Sequence, residues 1–482
     1  MKVTYMFIFL SFFSACKKFT EVPPPSTTLV QSNVFSTDAT AIGALTGLLT
    51  QMSNNQSFGS GSFATGQLSV AVSAGLSADE LTLWSGQSNS SLVGYYQNNL
   101  SAANTSLYSD LWPQLFSFIF QANSAIEGLT GTNSSSLTTA TKQQLLGEAK
   151  FLRAFYYFYL TNVYGDVPLI TTTDYTITAK LSRAPQSAVY QQIIADLKDA
   201  QTLLSPNYLD SRLLKYTGTP ERVRPTSWAA SSLLARVYLY TSDYSGAAIQ
   251  ATAVINNSAQ FSLTSLNSTF LANSPEAIWQ LQPVGANNVI NTLDGYYFTV
   301  PSTGFDDDRS FYLNPTLISS FESGDGRFAK WVGVYGSGSS AVYYPYKYKQ
   351  SAIGTGSAQT EYLMVLRLAE QYLIRAEAEA NLNQTGPAIS DLNTIRTRAG
   401  LLNTTATTQA TLLTAIQHER QVELFSEWGH RWFDLKRTGT IDPVMSIQTP
   451  LKGGTWSSYK ALFPILNDDI KADPSLVQNP GY

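Results

Sequence analysis

The feature that most constrains this chain is a set of long segments whose apolar residues recur every three or four positions. Over 109–129, Leu111, Trp112, Leu115, Phe116, Ile119, Ala122 and Ile126 share one face of a helix. Over 141–164, Leu145, Ala149, Leu152, Phe155, Tyr156 and Tyr159 do the same. That pattern stops at Tyr164-Gly165-Asp166-Val167-Pro168, where glycine followed by proline ends a helix. A third helix is predicted over 187–204, ahead of Pro206. Such helices hide their apolar stripe against other elements, so the pattern predicts a mainly α body.

Two later stretches are related to each other. Leu234, Ala235 and Tyr238 are followed by Ala247, Ala251 and Val254; Arg375, Ala376 and Glu379 are followed by Ala388, Leu392 and Ile395. Each has a turn in the middle, Ser242-Asp243-Tyr244 in one and Asn383-Gln384-Thr385-Gly386-Pro387 in the other. Small residues at matched positions let two antiparallel helices approach closely. The arrangement resembles the tetratricopeptide helix pair. Two such units do not by themselves distinguish a repeat scaffold from separate helical hairpins.

Between the helical blocks the periodicity fades. Residues 53–100 are rich in Ser, Gly and Asn, with Trp84, Tyr95 and Tyr96 embedded in them. Residues 258–360 carry Trp279, Tyr296, Tyr297, Trp331, Tyr343, Tyr344, Tyr346 and Tyr348 among Gly, Ser and Pro. Long loop-rich regions beside a good core are where binding residues concentrate. The 44% hydrophobic and 12% aromatic content supplies that core, and 482 residues suffice for one large domain or two to three ordinary ones. A formal charge of −4 and no basic stripe argue against nucleic acid. Only 13% of residues are charged while Ser, Thr, Asn, Gln and Tyr abound, a surface suited to neutral ligands such as sugars.

The N-terminus is patterned for export. Met1-Lys2 is followed by an apolar run over 3–13, too short to cross a bilayer, which takes about 20 residues. Ser14 and Ala15 then precede Cys16, the only cysteine in the chain. A cysteine after small residues at the end of such a run is the acceptor of a lipid anchor, which makes 1–15 a lipoprotein signal peptide. The stretch 16–28, with Pro23-Pro24-Pro25, is an extended tether. One cysteine excludes an internal disulfide and a cysteine metal site, and two histidines, His418 and His430, exclude a histidine-rich metal centre.

A search for catalytic signatures finds no nucleophile elbow, zinc helix or phosphate loop. A glycosidase needs only two carboxylates facing one sugar, which keeps Asp79-Glu80 and Asp306-Asp307-Asp308 in view. The triple aspartate is also a candidate for calcium, although it lacks the spaced ligands and turn glycine of a calcium loop. The stretch 419–439 is dense in charge. Glu423, Glu427, His430 and Asp434 read as an acid/base cluster; Arg420, Glu423, Arg431, Asp434 and Arg437 read as paired charges pinning a helix to the core, and the second reading is preferred.

Several motifs, in order, resemble the SusD/RagB-like outer-membrane lipoproteins. The Cys16-Lys17-Lys18-Phe19-Thr20-Glu21 start is similar to that family's opening. Glu148-Ala149-Lys150-Phe151-Leu152-Arg153-Ala154-Phe155-Tyr156-Tyr157, running on to Tyr164-Gly165-Asp166-Val167-Pro168-Leu169, resembles its internal motif. So do Arg367-Leu368-Ala369-Glu370-Gln371-Tyr372-Leu373-Ile374-Arg375-Ala376-Glu377-Ala378 and Leu392-Asn393-Thr394-Ile395-Arg396-Thr397-Arg398-Ala399-Gly400. The 420–437 stretch resembles its C-terminal signature. The resemblance implies a mainly α fold in which four tetratricopeptide-like helix pairs form a right-handed scaffold, with a large irregular, loop-rich ligand-binding half. It implies one body over 29–482, with an N-terminal part to about 225 and a C-terminal part from about 226. It also implies a surface-exposed lipoprotein of the cell outer membrane with no cofactor, which captures oligosaccharide for a SusC-like TonB-dependent transporter; some relatives take peptides instead. Open alternatives are a surface glycosidase and a scaffold that binds only protein.

Sugar rings want aromatic platforms beside amide, carboxylate or guanidinium groups. Trp84, near Asp79, Gln87 and Asn89, is the first candidate; Tyr95, Tyr96, Tyr296 and Tyr297 follow. A Cys16→Ala protein is expected to fold and bind ligand in solution but to leave the outer membrane. Membrane-bound Cys16→Ala protein in fractions from cells lacking the transporter would sink the anchor reading.

Overall fold

The computed structural model describes residues 31–53, 63–67, 69–103, 111–284, 291–351 and 358–482. The anchor expectation, Cys16 with its leader and tether, lies outside them. Along the chain run α1 (Asp38–Ser53), α2 (Val70–Ser77), β1 (Leu81–Leu83), α3 (Ser90–Tyr96), α4 (Leu111–Gly131), α5 (Thr139–Tyr164), α6 (Gln186–Leu203), α7 (Ser227–Tyr240) and α8 (Tyr244–Ile255). Then come β2 (Ala277–Leu281), β3 (Phe311–Leu313), β4 (Val332–Tyr335), β5 (Val342–Pro345), β6 (Leu363–Arg367), α9 (Leu368–Asn381), α10 (Thr385–Arg398), α11 (Gln409–Glu423), α12 (His430–Arg437) and α13 (Ile441–Leu451).

The long periodic segments are helices close to the predicted bounds, and each packs on the next. α4 lies against α5, α5 against α6, α6 against α7, α7 against α8, α8 against α9, and α9 against α10 and α11. α5 is the central member. Thr138 caps it by accepting from the Thr141 amide at 3.3 Å, and Gly165 at φ +77° ends it. Between Phe151 and Tyr164 every residue is buried, so this half is surrounded by protein rather than presenting one wet face. Its rings meet Phe63, Phe118, Trp279 and Trp428 edge-on or stacked.

The two related stretches are helical hairpins, α7–α8 and α9–α10, with the same turn. Ser242 (φ +59°) and Asn383 (φ +60°) occupy equivalent left-handed positions. The next amide reaches back five residues, Asp243 to the Tyr238 carbonyl at 2.9 Å and Gln384 to the Glu379 carbonyl at 2.8 Å, which closes the helix end as a Schellman motif. Ala235, Ala247, Ala376 and Ala388 are fully buried where the partners meet.

The stretches without visible periodicity contain short elements of three to eight residues, too brief to show a helical or strand period. They form antiparallel two-stranded sheets, β1 with β3, β2 with β6, and β4 with β5.

A buried charge network joins the halves. Arg367, at the end of β6, reaches Glu423 at 2.6 Å, Glu427 at 2.8 Å and Glu276 at 3.1 Å. Arg327 bonds Glu423 at 2.9 Å, Arg398 bonds Glu276 at 2.9 Å and also Glu423, and Lys347 bonds Glu427 at 2.5 Å. Burial works to raise the Glu423 carboxyl, but Arg398, Arg367 and Arg327 outweigh it and hold the group well below its usual range. A second chain runs Arg420–Asp434–Arg437–Glu377. The paired-charge reading of 419–439 is therefore what the geometry shows, and the acid/base reading of Glu423, Glu427 and Asp434 gives way to it. Removing one partner strands buried charge, so Glu423→Ala is expected to cost about 3–5 kcal/mol of unfolding free energy. Urea denaturation followed by tryptophan fluorescence measures it; an unchanged midpoint would contradict the network's role.

Candidate ligand-binding surface

Trp84 follows β1 directly, and its amide donates to the Ser310 carbonyl at 2.8 Å, continuing the β1–β3 ladder by one residue. That pairing brings segment 301–310 over the tryptophan. Phe305 stacks on Trp84 at 6.1 Å between ring centres with planes 15° apart. Tyr312, opposite Thr82 in the ladder, lies 5.6 Å from Phe305, and Tyr335 at the end of β4 lies 5.9 Å from it. All four rings are half-buried, so they form one aromatic face with an exposed side. Two glycines make room. A Cβ on Gly86 would sit 2.3 Å from the Trp84 ring, and Gly304, at φ +96°, would meet the Tyr335 hydroxyl at 2.9 Å.

Polar groups fix the loop beneath these rings. Gln87 donates to the Asp307 carbonyl at 2.6 Å and accepts from the Asn89 amide at 2.8 Å, while Gln67 donates to the same carbonyl at 2.7 Å. Asp306 accepts from the Arg309 amide at 2.7 Å and pairs with the Arg309 guanidinium. Those bonds hold its carboxyl below the usual range, the guanidinium contributing most. Tyr296 donates its hydroxyl to Asp308 at 2.9 Å; burial first, and that carboxylate second, push the phenol up to about 12. Arg309 covers the Tyr296 ring at 5.2 Å, and Tyr297 packs edge-on to Tyr296 at 5.0 Å.

The candidates from sequence thus separate. Trp84 is on the face. Tyr296 is joined to the 306–309 turn through Asp308, and Tyr297 packs on Tyr296. Tyr96 is half-buried, with the Lys452 ammonium 5.5 Å from its ring. Gln87 and Asn89 are framework: Gln87 ties the loop down, and Asn89 caps α3 by accepting from the Ser91 and Leu92 amides. Two expectations fail on burial. Asp79 is 1% exposed and clamped by Arg431 through two 2.7 Å bonds. Tyr95 is 1% exposed and packs on Phe463. Phe305, Tyr312 and Tyr335 were not among the candidates. The mark Phe305 leaves in sequence is an aromatic after a glycine and before an acidic turn, which does not say that Trp84 is its neighbour.

The triple aspartate does not form a cation cage, because Arg309 and Tyr296 already occupy Asp306 and Asp308. Among the described residues, the acids and imidazoles close enough to share an ion are Glu322, His418 and Glu419. There Arg396 pairs with both glutamates and Arg327 with Glu419, while His418 Nε2 bonds the Ser320 carbonyl at 2.7 Å. Two open cavities, about 490 and 550 Å³, lie elsewhere, one beside α1 and the other between α7, α9, α11 and α12. None of the candidate ligand residues lines either.

Residues 330–482 match the sequence pattern described as the SusD family, and residues 56–239 match one described as starch-binding associating with outer membrane. The chain belongs to the SusD/RagB family. A SusD-like protein of Formosa agariphila is 27% identical over 434 residues, spanning 78% of this chain and 81% of its own length. Another, from Bacteroides ovatus, is 26% identical across 68% of this chain and 65% of its own. Among solved structures, a laminarin-binding SusD-like protein superposes with a TM-score of 0.75 at 22% identity, covering 93% of this chain and all of the other. A surface glycan-binding protein of Bacteroides fluxus does so with 0.75 at 23%, with the same coverage. The helix-rich scaffold is thus the SusD-like fold, and no described helix is long and apolar enough to cross a membrane.

Glu80, next to the Asp79 clamp, is wholly buried, and burial raises its carboxyl to about 8 although the Ser426 amide donates to it at 2.9 Å. Asp294 is raised to about 7, by burial and then by nearby Glu427. In the fold both keep protons that the unfolded chain has already released at neutral pH. The stability this contributes is full below the ordinary carboxylate range and is lost as pH rises through about 7 to 8. Urea midpoints should fall over that interval, and Glu80→Gln, which keeps the acceptor for Ser426, should flatten the fall. Parallel profiles for the two proteins would refute it.

Proposed function

We propose that this SusD-like protein is a non-catalytic, lipid-anchored glycan binder of the outer-membrane surface that captures oligosaccharides and delivers them to a SusC-like TonB-dependent transporter. The observation that carries the binding step is the face of Trp84, Phe305, Tyr312 and Tyr335, backed by an amide-bonded loop. Flat rings with one exposed side match the apolar C–H faces of pyranose rings, while nearby amides, hydroxyls and carboxylates match their hydroxyl groups. A laminarin-binding relative and a surface glycan-binding relative share the fold. The reading assigns 1–15 to the signal peptide, 16–28 to the tether and 29–482 to one body, its two parts meeting near 225.

A hydrolytic role finds less support. Asp79 is spent on Arg431 and Glu80 is sealed in the core, so that carboxyl pair does not face a surface sugar. Transporter delivery rests on the family and on the Cys16 anchor.

Purified protein run in native gels containing laminarin should be retarded, and Trp84→Ala should weaken the affinity about tenfold or more with unchanged thermal unfolding. Retardation equal in the two proteins would remove Trp84 from the site. Release of reducing ends would end the non-catalytic reading, and binding of peptides but of no polysaccharide would replace the ligand.

A further inference from the structure

The loop that completes the aromatic face is also the most acidic turn near it. Phe305, stacked on Trp84, leads directly into Asp306, Asp307 and Asp308. The turn is not free to swing away, since the Asp307 carbonyl is held by Gln87 and by Gln67, and Gln87 lies three residues beyond Trp84. Its three carboxylates face one guanidinium, Arg309, which is spent on Asp306. Asp308 receives two neutral donors, the Tyr296 hydroxyl and the Gln67 amide, and the Asp307 side chain is exposed. Three carboxylates against one guanidinium leave the turn with an excess of about two negative charges beside the rings.

The cations near this face cannot offset them. The Lys452 ammonium lies beneath Tyr96, bonded to the Leu76, Ser77 and Ala78 carbonyls at 2.8, 3.2 and 2.7 Å, and it is buried. Beyond the β4–β5 hairpin, Lys349 is folded onto the Lys330 and Tyr346 carbonyls and the Tyr346 ring. A neutral chain laid on the rings meets hydroxyl-accepting carboxylates, which suit it. A chain carrying sulfate or carboxylate on successive sugars brings like charge against Asp307 and Asp308, while Lys452 and Lys349 are committed to backbone carbonyls.

We infer that the ligand of the Trp84 face is an uncharged polysaccharide, and that Asp307 and Asp308 reject polyanionic glycans. This rests on the glycan-binding reading above and narrows it. The test compares Kd for laminarin, as neutral probe, with Kd for alginate and carrageenan, as carboxylated and sulfated probes, at low and high salt. The wild-type protein should prefer laminarin by about tenfold or more at low salt, and the preference should shrink as salt screens the turn. An Asp307→Asn/Asp308→Asn protein, which keeps an acceptor for Tyr296, should lose about tenfold of that preference at low salt, with thermal unfolding unchanged. Alginate or carrageenan binding as tightly as laminarin, and lost in Trp84→Ala, would overturn the charge rule while leaving the glycan-binding reading intact. A preference unaltered in the double variant would also overturn it. No retention by any of the three glycans would take down both.

Discussion

Everything in this fold leans on Glu423. Its two oxygens meet Arg367, Arg327 and Arg398, which arrive from the end of β6, from the segment 326–331 and from the end of α10. A carboxylate buried this deeply would be untenable alone, and the guanidiniums would be equally untenable without it. Each element is therefore docked by a charge it cannot withdraw without stranding another. The turn after α11 repeats the device, since Glu427 takes Arg367 and Lys347 together. That mutual dependence is what couples the helical stack to the loop-rich half.

The same segment reaches the candidate face. After α11 the backbone passes through three left-handed residues, Ser426 at φ +52°, Trp428 at +48° and Gly429 at +72°. Two of them are not glycine, a strained arrangement that persists only where the surroundings enforce it. Ser426 donates to Glu80, Trp428 donates to the Met364 carbonyl at 2.8 Å, and Arg431 clamps Asp79. Asp79 and Glu80 lead into β1, and Trp84 follows it directly. The tryptophan is thus set by contacts made some 350 residues later in the chain rather than by its own loop, which is how a rigid scaffold positions a surface ring.

This explains which parts were legible in the sequence. The helices and both hairpins showed themselves because their stripes and small residues repeat locally, and the equivalence of Ser242 and Asn383 is a local matter too. The charge pairs of 419–439 were legible as a type, arginines interleaved with acids, though not as partners. The face was half legible. Trp84 stood out by composition, whereas Phe305, Tyr312 and Tyr335 join it through one strand pairing and ring contacts across more than two hundred positions, which no local pattern reveals. Asp79 and Tyr95 misled for the converse reason: a polar, loop-like neighbourhood in sequence became core once α12 and the C-terminal segment packed on it.

The division of labour follows. Residues that carry the family motifs, Arg153, Arg367, Glu370, Arg420, Glu423 and Asp434, are buried in ion pairs and cannot touch a ligand. The groups able to touch one sit on short elements whose backbone is fixed by those pairs but whose side chains are not. A scaffold built this way tolerates exchange of Phe305, Asp307 or Tyr335 without loss of the docking charges. Ligand preference can then change while the fold stays constant, and that fold is shared with solved structures at 20–24% identity. Recognition in such a protein has to be read from the exposed rings and the charge beside them, not from the residues that identify the family.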